Sequence, residues 1–136
     1  MSALLEGKKV LITGSSRGIG KATALAMAKA GADVVVHYNR QAEMAEETAS
    51  EIRKIGREVL IVQANLEDLD EVDRMFNAVK TEWGTLDVFM ANAAATAFKP
   101  LMEMKPHHIE RTHHLLVNSL IRSAQRAVPL MKGRSG

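Results

Sequence analysis

Three glycines near the start of the chain have the spacing of a turn that can bind phosphate. They follow an apolar run and precede a helical pattern, in the stretch Thr13, Gly14, Ser15, Ser16, Arg17, Gly18, Ile19 and Gly20. Gly14 lets the chain turn sharply, whereas Gly18 and Gly20 let the main chain approach a pyrophosphate and pack on the strand. The following helix offers unpaired N–H groups and a positive dipole end. The stretch therefore predicts a pyrophosphate site; the alternative is a glycine-rich turn that binds no ligand.

The residues after the second predicted strand favour a nucleotide that carries an additional phosphate. This segment reads Tyr38, Asn39 and Arg40 and contains no acidic residue. A carboxylate here holds the ribose hydroxyls in NAD-selective folds, and it would repel a 2′-phosphate. Arg40 and Arg17 instead offer two guanidinium groups to a phosphate dianion. We therefore expect NADP(H) in preference to NAD(H), unless both arginines are simply solvated loop residues.

An alternation of strands and helices must position these residues. Short apolar runs that end in turns predict four buried strands, at residues 9–13, 33–38, 58–63 and 86–90. Apolar residues at three- and four-residue steps predict four helices, at residues 19–30, 41–55, 67–83 and about 107–131. The alternation predicts right-handed crossovers and an α/β fold in which one parallel sheet has helices on both faces.

The last predicted helix is the longest, and Pro129 is expected to fray or kink its final turn. Its expected buried residues are Ile109, Leu115, Leu116, Leu120 and Ala124. Four histidines also fall in this helix: His107, His108, His113 and His114. No two of them have the i,i+3 or i,i+4 spacing of a helical chelate, so no metal site is predicted.

The composition of the 136 residues is that of a globular protein with one domain, 46% apolar and 25% charged. A net charge of +2 with scattered basic residues predicts no nucleic-acid partner. The absence of cysteine excludes disulfides, thiolate catalysis and zinc–cysteine sites within these residues. No apolar run reaches the ~20 residues that cross a bilayer. We expect a cytoplasmic protein with no membrane partner.

Two motifs resemble the short-chain dehydrogenase/reductase family. They are Thr13 with the glycine spacing that follows it, and the turn Ala91-Asn92-Ala93-Ala94 after the fourth predicted strand. In the second motif only Asn92 and Ala93 match the family's Asn-Asn-Ala-Gly turn. The resemblance implies a Rossmann-type doubly wound parallel sheet with strand order 3-2-1-4-5-6-7, of which 3-2-1-4 lies in this chain. Residues 1–136 would then be the NADP(H)-binding N-terminal part of a single domain.

The resemblance also assigns cofactor contacts to the ends of the third and fourth strands. The implied residues are Ala64, Asn65, Leu66, Asn92, Ala93 and Ala94. Asn65 stands where the family usually has an aspartate that touches adenine; an amide can both donate and accept there. The alternative for Asn65 is a cap for the helix that begins near residue 67. Small side chains let the main chain approach the ribose, and the Asn92 amide can tie neighbouring strands together.

The family's catalytic asparagine lies in the last long helix, which makes Asn118 the candidate. When the sequence is aligned without gaps on Leu130 and Met131, however, Leu116 falls at the expected position. Two residues turn a helix by about 200°, so Asn118 and Leu116 cannot both face one site. The alternative for Asn118 is a surface or interface residue.

The family's other catalytic groups are a serine, a tyrosine and a lysine four residues after that tyrosine. The only tyrosine here is Tyr38, and the residue four positions later is Ala42. Residues 132–136 resemble the loop that enters a fifth strand. The resemblance therefore implies that the chain is a fragment, inactive alone, whose fourth strand is left as an unpaired edge.

Within the family, the sequence most resembles enoyl-acyl-carrier-protein reductases of type III, with 3-oxoacyl reductases next. The motifs that carry this likeness are Gly14-Ser15-Ser16-Arg17-Gly18, Val36-His37-Tyr38-Asn39-Arg40, Ala64-Asn65, Leu86-Asp87-Val88-Phe89 and Asn92-Ala93-Ala94. The likeness implies NADPH-dependent hydride transfer to an enoyl or 3-oxo acyl thioester in fatty-acid synthesis, on a small or carrier-protein-bound substrate. It also implies a homotetramer that pairs the last helix. The alternatives are a non-catalytic NADP(H)-binding sensor or scaffold, and a sugar or polyol dehydrogenase of the same family.

Overall fold

A computed structural model describes residues 3–95 and 99–133 and shows strands alternating with helices. The strands are β1 (Lys9–Ile12), β2 (Asp33–Tyr38), β3 (Val59–Gln63) and β4 (Val88–Met90). The helices between them are α1 (Gly18–Lys29), α2 (Ala42–Ile55) and α3 (Leu69–Trp83). After β4 come a 3₁₀ turn (Leu101–Glu103), α4 (Pro106–His113), a π-helical turn (His114–Asn118) and α5 (Ser119–Met131). The predicted segment 132–136 lies only partly within the described residues.

All four strands pair in parallel, in the order β3-β2-β1-β4. Leu11 lies opposite Val35 on β2 and opposite Phe89 on β4. This arrangement confirms the predicted fold class and strand order, and β4 is an edge of the described sheet. All four strand carboxyl ends therefore meet at one side of the sheet, where open α/β folds bind ligands.

The core has two layers because successive strand residues point to opposite faces of the sheet. Val10 and Val34 belong to the layer that contains residues of α1 and α2. Leu11 and Val35 belong to the other layer, with residues of α3 and α5. Residues 10–12 of β1 and 34–36 of β2 are fully buried, on both faces of the sheet, which explains their continuous apolar runs. The rigid sheet that results fixes the positions of the turns that follow each strand.

The boundaries of the first elements agree with the sequence patterns to within two residues. The α2 helix ends at Gly56, whose φ of 93° is a left-handed conformation that suits glycine. The β4 strand begins two residues later than expected, because the Leu86 amide donates to the carbonyl of Leu130 at the end of α5. Within the described residues, no helix is long and apolar enough to cross a membrane.

The last helix differs from the prediction. It is interrupted by the π-helical turn, and the expected buried positions Ile109, Leu116, Leu120 and Ala124 are exposed. The buried residues of α5 are small ones at four-residue spacing, Ser119, Ser123 and Ala127. Small side chains let α5 pack closely against α3, so the larger apolar residues one position further along point outward. Of the expected set, only Leu115 packs on the core, and Pro129 lies within a helix that continues to Met131.

Candidate cofactor-binding site

A cavity of about 500 Å³ lies at the carboxyl ends of the four strands. Its lining residues come from the turns after the strands, the end of β2, the start of α1, α4 and the π-helical turn: Gly14, Ser16, Arg17, Gly18, Ile19, His37, Tyr38, Asn39, Arg40, Gln41, Ala64, Leu66, Asn92, Ala93, Ala94, Ala95, Arg111 and Leu115. This volume lies within the range of ~300–1,000 Å³ typical of small-molecule sites. Most of the predicted cofactor contacts are therefore brought to one surface.

The three glycines of the turn meet three different requirements. Gly14 has a φ of 65°, and a Cβ there would lie 3.0 Å from the Cα of Ala93. Gly20 lies in α1, where a Cβ would be 2.2 Å from the carbonyl oxygen of Gly14 and 2.7 Å from Nδ2 of Asn92. Gly18 has a φ of 61° and open space where a Cβ would point. Gly14 and Gly20 thus allow close packing of the turn, whereas Gly18 leaves the main chain accessible from the cavity.

The N-terminus of α1 opens onto this cavity. Arg17 is its N-cap residue, with extended φ and ψ of −156° and 174°, and its side chain makes no capping bond within the described residues. The carbonyl of Ser16, just before it, accepts a 3.0 Å hydrogen bond from the hydroxyl of Thr48 on α2. The first-turn N–H groups of α1 and its positive dipole end are a suitable environment for an anion.

His37 and Ser15 fasten the glycine turn to the sheet from behind. The Gly14 amide donates to Nδ1 of His37 over 2.9 Å, and Nε2 of His37 lies 2.9 Å from the carbonyl oxygen of Ala64. The Ser15 hydroxyl donates to the carbonyl of Ile12 and accepts from the His37 amide. Burial lowers the pKa of His37 below its ordinary value, which keeps the ring neutral. The sequence interpretation did not assign a role to His37; its signal is a polar residue directly after the apolar run at residues 34–36.

Asn92 and Thr13 join the end of β1 to the turn after β4. The side-chain amide of Asn92 donates to the carbonyls of Thr13 and Gly14 over 3.1 and 3.2 Å. The Thr13 hydroxyl accepts from the main-chain N–H groups of Asn92 and Ala93 over 3.0 and 3.1 Å. These bonds confirm the expected tie between neighbouring strands. They also direct the Asn92 side chain at the glycine turn, and Asn92, Ala93 and Ala94 all line the cavity.

Three guanidinium groups line the cavity, one more than the sequence predicted. Arg17 and Arg40 come from the turns after β1 and β2, as expected. Arg111 comes from α4, and its Nε lies 2.5 Å from a carboxylate oxygen of Glu67. Among the described lining residues there is no aspartate or glutamate. The cavity wall is therefore cationic, which suits a ligand with several phosphates.

Ser15, Gly20 and Asn65 were predicted as contact residues but are not among the residues that line the cavity. The first two position the turn through the contacts described above. The side-chain oxygen of Asn65 accepts from the main-chain N–H of Glu67 over 3.1 Å, and the main-chain N–H of Asn65 donates to the Glu71 carboxylate. The alternative, that Asn65 caps the helix near residue 67, is wrong, since α3 begins two residues after Glu67 with Asp68 as its cap. Asn65 instead shapes the turn that precedes α3.

Asn118 does not line the cavity, and neither does Leu116. Asn118 closes the π-helical turn, with Nδ2 only 2.9 Å from Nδ1 of His114. Leu115 lines the cavity instead, and Arg111 lies one helical turn before it. The alignment without gaps on Leu130 and Met131 thus points one residue past the position that lines the cavity, within a π turn that adds a residue to the helix. The proposed catalytic role of Asn118 therefore has no support from this geometry.

The parallel sheet, the glycine turn and the cavity at the strand ends define a dinucleotide-binding fold of the Rossmann class. Residues 8–136 match the short chain dehydrogenase family, and the chain belongs to that family.

Individual relatives are similar over most of this chain but extend well beyond it. Identity to the 1-cyclohexenylcarbonyl-CoA reductase of Streptomyces collinus is 41% over 121 residues, which is 89% of this chain and 43% of that protein. Identity to the trihydroxynaphthalene reductase of Colletotrichum orbiculare is 37% over 110 residues, 81% of this chain and 39% of that protein. A short chain dehydrogenase from Burkholderia cenocepacia J2315 in complex with NADP superposes with a TM-score of 0.91 at 33% identity, over 94% of this chain and 52% of that chain. The chain thus spans about half, or less, of the length of these relatives.

Proposed function

We propose that the cavity binds NADP(H). The observation that carries this proposal is that Arg17 and Arg40 line the same cavity as the glycine turn, with no acidic side chain among its described lining residues. Two arginines can bind a 2′-phosphate by charge-assisted hydrogen bonds, whereas a carboxylate would repel it. The NADP complex of the Burkholderia cenocepacia relative supports the same cofactor class.

The remaining contacts divide between the phosphates, the adenosine and the ribose. The pyrophosphate lies against the main chain between Gly14 and Gly20, where α1 begins. Ile19, which is 75% exposed beside the cavity, gains apolar contact when the cofactor binds. The adenosine lies among Tyr38, Asn39, Ala64, Leu66 and Leu115, and the nicotinamide-side ribose lies against Ala93 and Ala94. Asn92 and Ser15 contribute by holding these segments in place.

The protein that contains this chain is proposed to be an NADPH-dependent oxidoreductase. The cofactor supplies a hydride, and the residues described here bind and orient it. An enoyl or 3-oxo acyl thioester is the proposed acceptor, on a small or carrier-protein-bound substrate of fatty-acid synthesis. The 1-cyclohexenylcarbonyl-CoA reductase, itself named for a thioester, supports this substrate class. The only tyrosine in the sequence, Tyr38, is followed four residues later by Ala42, so residues 1–136 do not contain the tyrosine–lysine pair that the family resemblance implies.

Two other functions remain as alternatives to a thioester reductase. One is a non-catalytic NADP(H)-binding sensor or scaffold, and the other is a sugar or polyol dehydrogenase of the same family. The 136-residue chain is expected to bind NADPH without oxidising it.

We further propose a cytoplasmic location, which accords with the absence of cysteine from these residues.

The experiment reads the coding sequence past Gly136 and assays the protein that it encodes. We expect a downstream tyrosine with a lysine four residues later, and oxidation of NADPH in the presence of crotonyl thioester. The same assay is repeated with acetoacetyl thioester and with a panel of polyols as competing candidate substrates. A stop codon directly after Gly136, with no NADPH oxidation, would overturn the oxidoreductase and favour the sensor or scaffold. Turnover of polyols alone would favour the sugar dehydrogenase.

The outer face of α4 and α5 is proposed to pair copies of the protein. Six apolar side chains on this face are exposed: Ile109, Leu116, Val117, Leu120, Ile121 and Val128. A contiguous apolar helix face of this kind is typical of a subunit interface. A homotetramer is the proposed assembly, as in other members of the family.

A further inference from the structure

We propose that His37 is a positioning residue for the cofactor turn, and that its neutral ring makes nucleotide binding sensitive to acid. The proposal rests on the NADP(H) site proposed above. His37 is the last but one residue of β2, and its ring links the Gly14 amide to the carbonyl of Ala64. The ends of three strands are thereby joined through one side chain.

The two hydrogen bonds of the ring determine which nitrogen carries the proton. The Gly14 amide is a donor, so Nδ1 of His37 must accept and must carry no hydrogen. The carbonyl of Ala64 is an acceptor, so Nε2 must donate. Only the neutral Nε2–H tautomer satisfies both partners. A proton on Nδ1 would face the Gly14 N–H and remove the bond that holds the first residue of the turn.

The surroundings of the ring favour this neutral form. The His37 residue is only 2% exposed, and burial is the main reason that its pKa lies below the ordinary value of 6.5. The ionisable side chains that line the cavity with it are Arg17 after β1, Tyr38 and Arg40 at the end of β2, and Arg111 on α4. None of these is a carboxylate that would stabilise an imidazolium ion. The ring becomes charged only in acid, and charging breaks the Gly14 contact.

The sign of the pH effect follows from the lowered pKa. Above pH 6.5 the ring is mostly neutral in the folded protein, because its pKa lies below that value, and the turn keeps its bound geometry. As the pH falls through the lowered pKa, the ring takes up a proton and the Gly14 amide loses its acceptor. Cofactor affinity should therefore fall in acid. Direct attraction between an imidazolium ion and the pyrophosphate would give the opposite sign, which makes the direction of the change informative.

Two substitutions separate the two bonds. In His37→Asn the side-chain oxygen can occupy the position of Nδ1 and accept from Gly14, but nothing reaches Ala64. In His37→Gln the terminal amide can occupy the position of Nε2 and donate to Ala64, but no acceptor remains for Gly14. The two variants are similar in polarity, neither side chain titrates, and they differ in which end of the ring they replace.

The experiment is calorimetric titration of both variants and the wild-type protein with NADPH, at neutral pH and in acid, with thermal unfolding measured in parallel. We expect His37→Asn to bind within a few-fold of the wild type, and His37→Gln to bind about tenfold or more weakly because the partly buried Gly14 N–H loses its partner. We also expect the wild type to lose more affinity in acid than His37→Asn. Comparing these two proteins cancels the effect of the titration of the cofactor's own phosphate, which is the same for both.

Equal binding by the two variants would overturn the positioning role. Equal acid dependence in the wild type and His37→Asn, or tighter binding of the wild type in acid, would overturn the acid sensitivity. If His37→Gln does not fold, the pH comparison between the other two proteins still decides. Failure of NADPH to bind any of the three would instead overturn the proposed cofactor site.

Discussion

The glycine turn and the outer face of α5 both present residues to the surroundings, but they are built differently. In the turn, Gly14 and Ser15 are hydrogen-bonded to His37, and Asn92 donates to the Gly14 carbonyl. On α5, Leu120 and Ile121 are apolar side chains that stay 48% and 54% exposed. The polar groups behind the turn have partners within the chain, whereas these two apolar side chains of α5 leave about half of their surface exposed.

The difference indicates what each region can bind. A turn whose geometry is fixed before binding loses little conformational freedom when a small ligand arrives, which favours affinity. An apolar helix face gains free energy by being covered, at about 1.5–3 kcal/mol for each large side chain that becomes fully buried. We therefore expect the turn to select a small anionic ligand and α5 to select another protein surface.

The largest effect is expected when the packing behind the turn is broken by Gly20→Ala. Its Cβ would lie 2.2 Å from the carbonyl oxygen of Gly14, so the turn must move. NADPH affinity should fall about a hundredfold, the effect that an ångström-scale misplacement of a positioned group can have. The unfolding free energy should fall by about 1–3 kcal/mol, measured by denaturant titration.

Gly56→Ala is the matched control for Gly20→Ala. It also introduces a methyl group, with a left-handed φ of 93° but no atom within 4 Å of the new Cβ. Stability should fall by about 1–2 kcal/mol from backbone strain, while NADPH affinity stays unchanged. Equal NADPH affinities of the two variants would show that the close packing at Gly20 is not needed for binding.

Charging the exposed face of α5 is expected to have the next largest effect. Leu120→Glu removes about 2 kcal/mol of apolar burial from the proposed interface, so self-association should weaken about thirtyfold. Sedimentation velocity over a range of protein concentrations measures this change. Leu4→Glu is the control, because Leu4 is 77% exposed and lies outside α4 and α5. A wild-type protein that stays monomeric at every concentration would contradict the proposed interface.

The smallest effect is expected for a single contact to the 2′-phosphate. Arg40→Ala should weaken NADPH binding about tenfold and leave NADH binding unchanged, since one charge-assisted bond contributes about 1.5–3 kcal/mol. Arg53→Ala is the control, because its exposed side chain lies on α2 and does not line the cavity. An equal loss of NADPH and NADH affinity in Arg40→Ala would mean that the arginine does not recognise the additional phosphate.

The sequence predicted most of the sheet and the glycine turn, because these depend on local requirements. The six-residue β2 strand has its predicted bounds, and Gly14 stands where the chain needs a positive φ. The contacts of His37 were not predictable, because its partners Gly14 and Ala64 are 23 and 27 residues away along the chain. The polar His37 beside an apolar run indicated an unusual position, but the sequence did not indicate which residues it contacts.

The last helix was predicted least well, because its packing depends on distances between helices that the sequence does not contain. The sequence pattern favoured large apolar residues such as Leu120 for the buried side. Close packing on α3 instead buries Ser119 and Ser123. The π-helical turn then shifted the cavity-lining position to Leu115, and Arg111 became a lining residue through the placement of α4.

The central claim, that this cavity binds NADP(H), is tested most directly by calorimetric titration of the wild-type protein with NADPH and with NADH. We predict saturable binding of NADPH and an affinity for NADH that is about tenfold lower or weaker still. Absence of saturable binding by either nucleotide to the folded protein would contradict the account. Tighter binding of NADH would contradict the role assigned to Arg17 and Arg40.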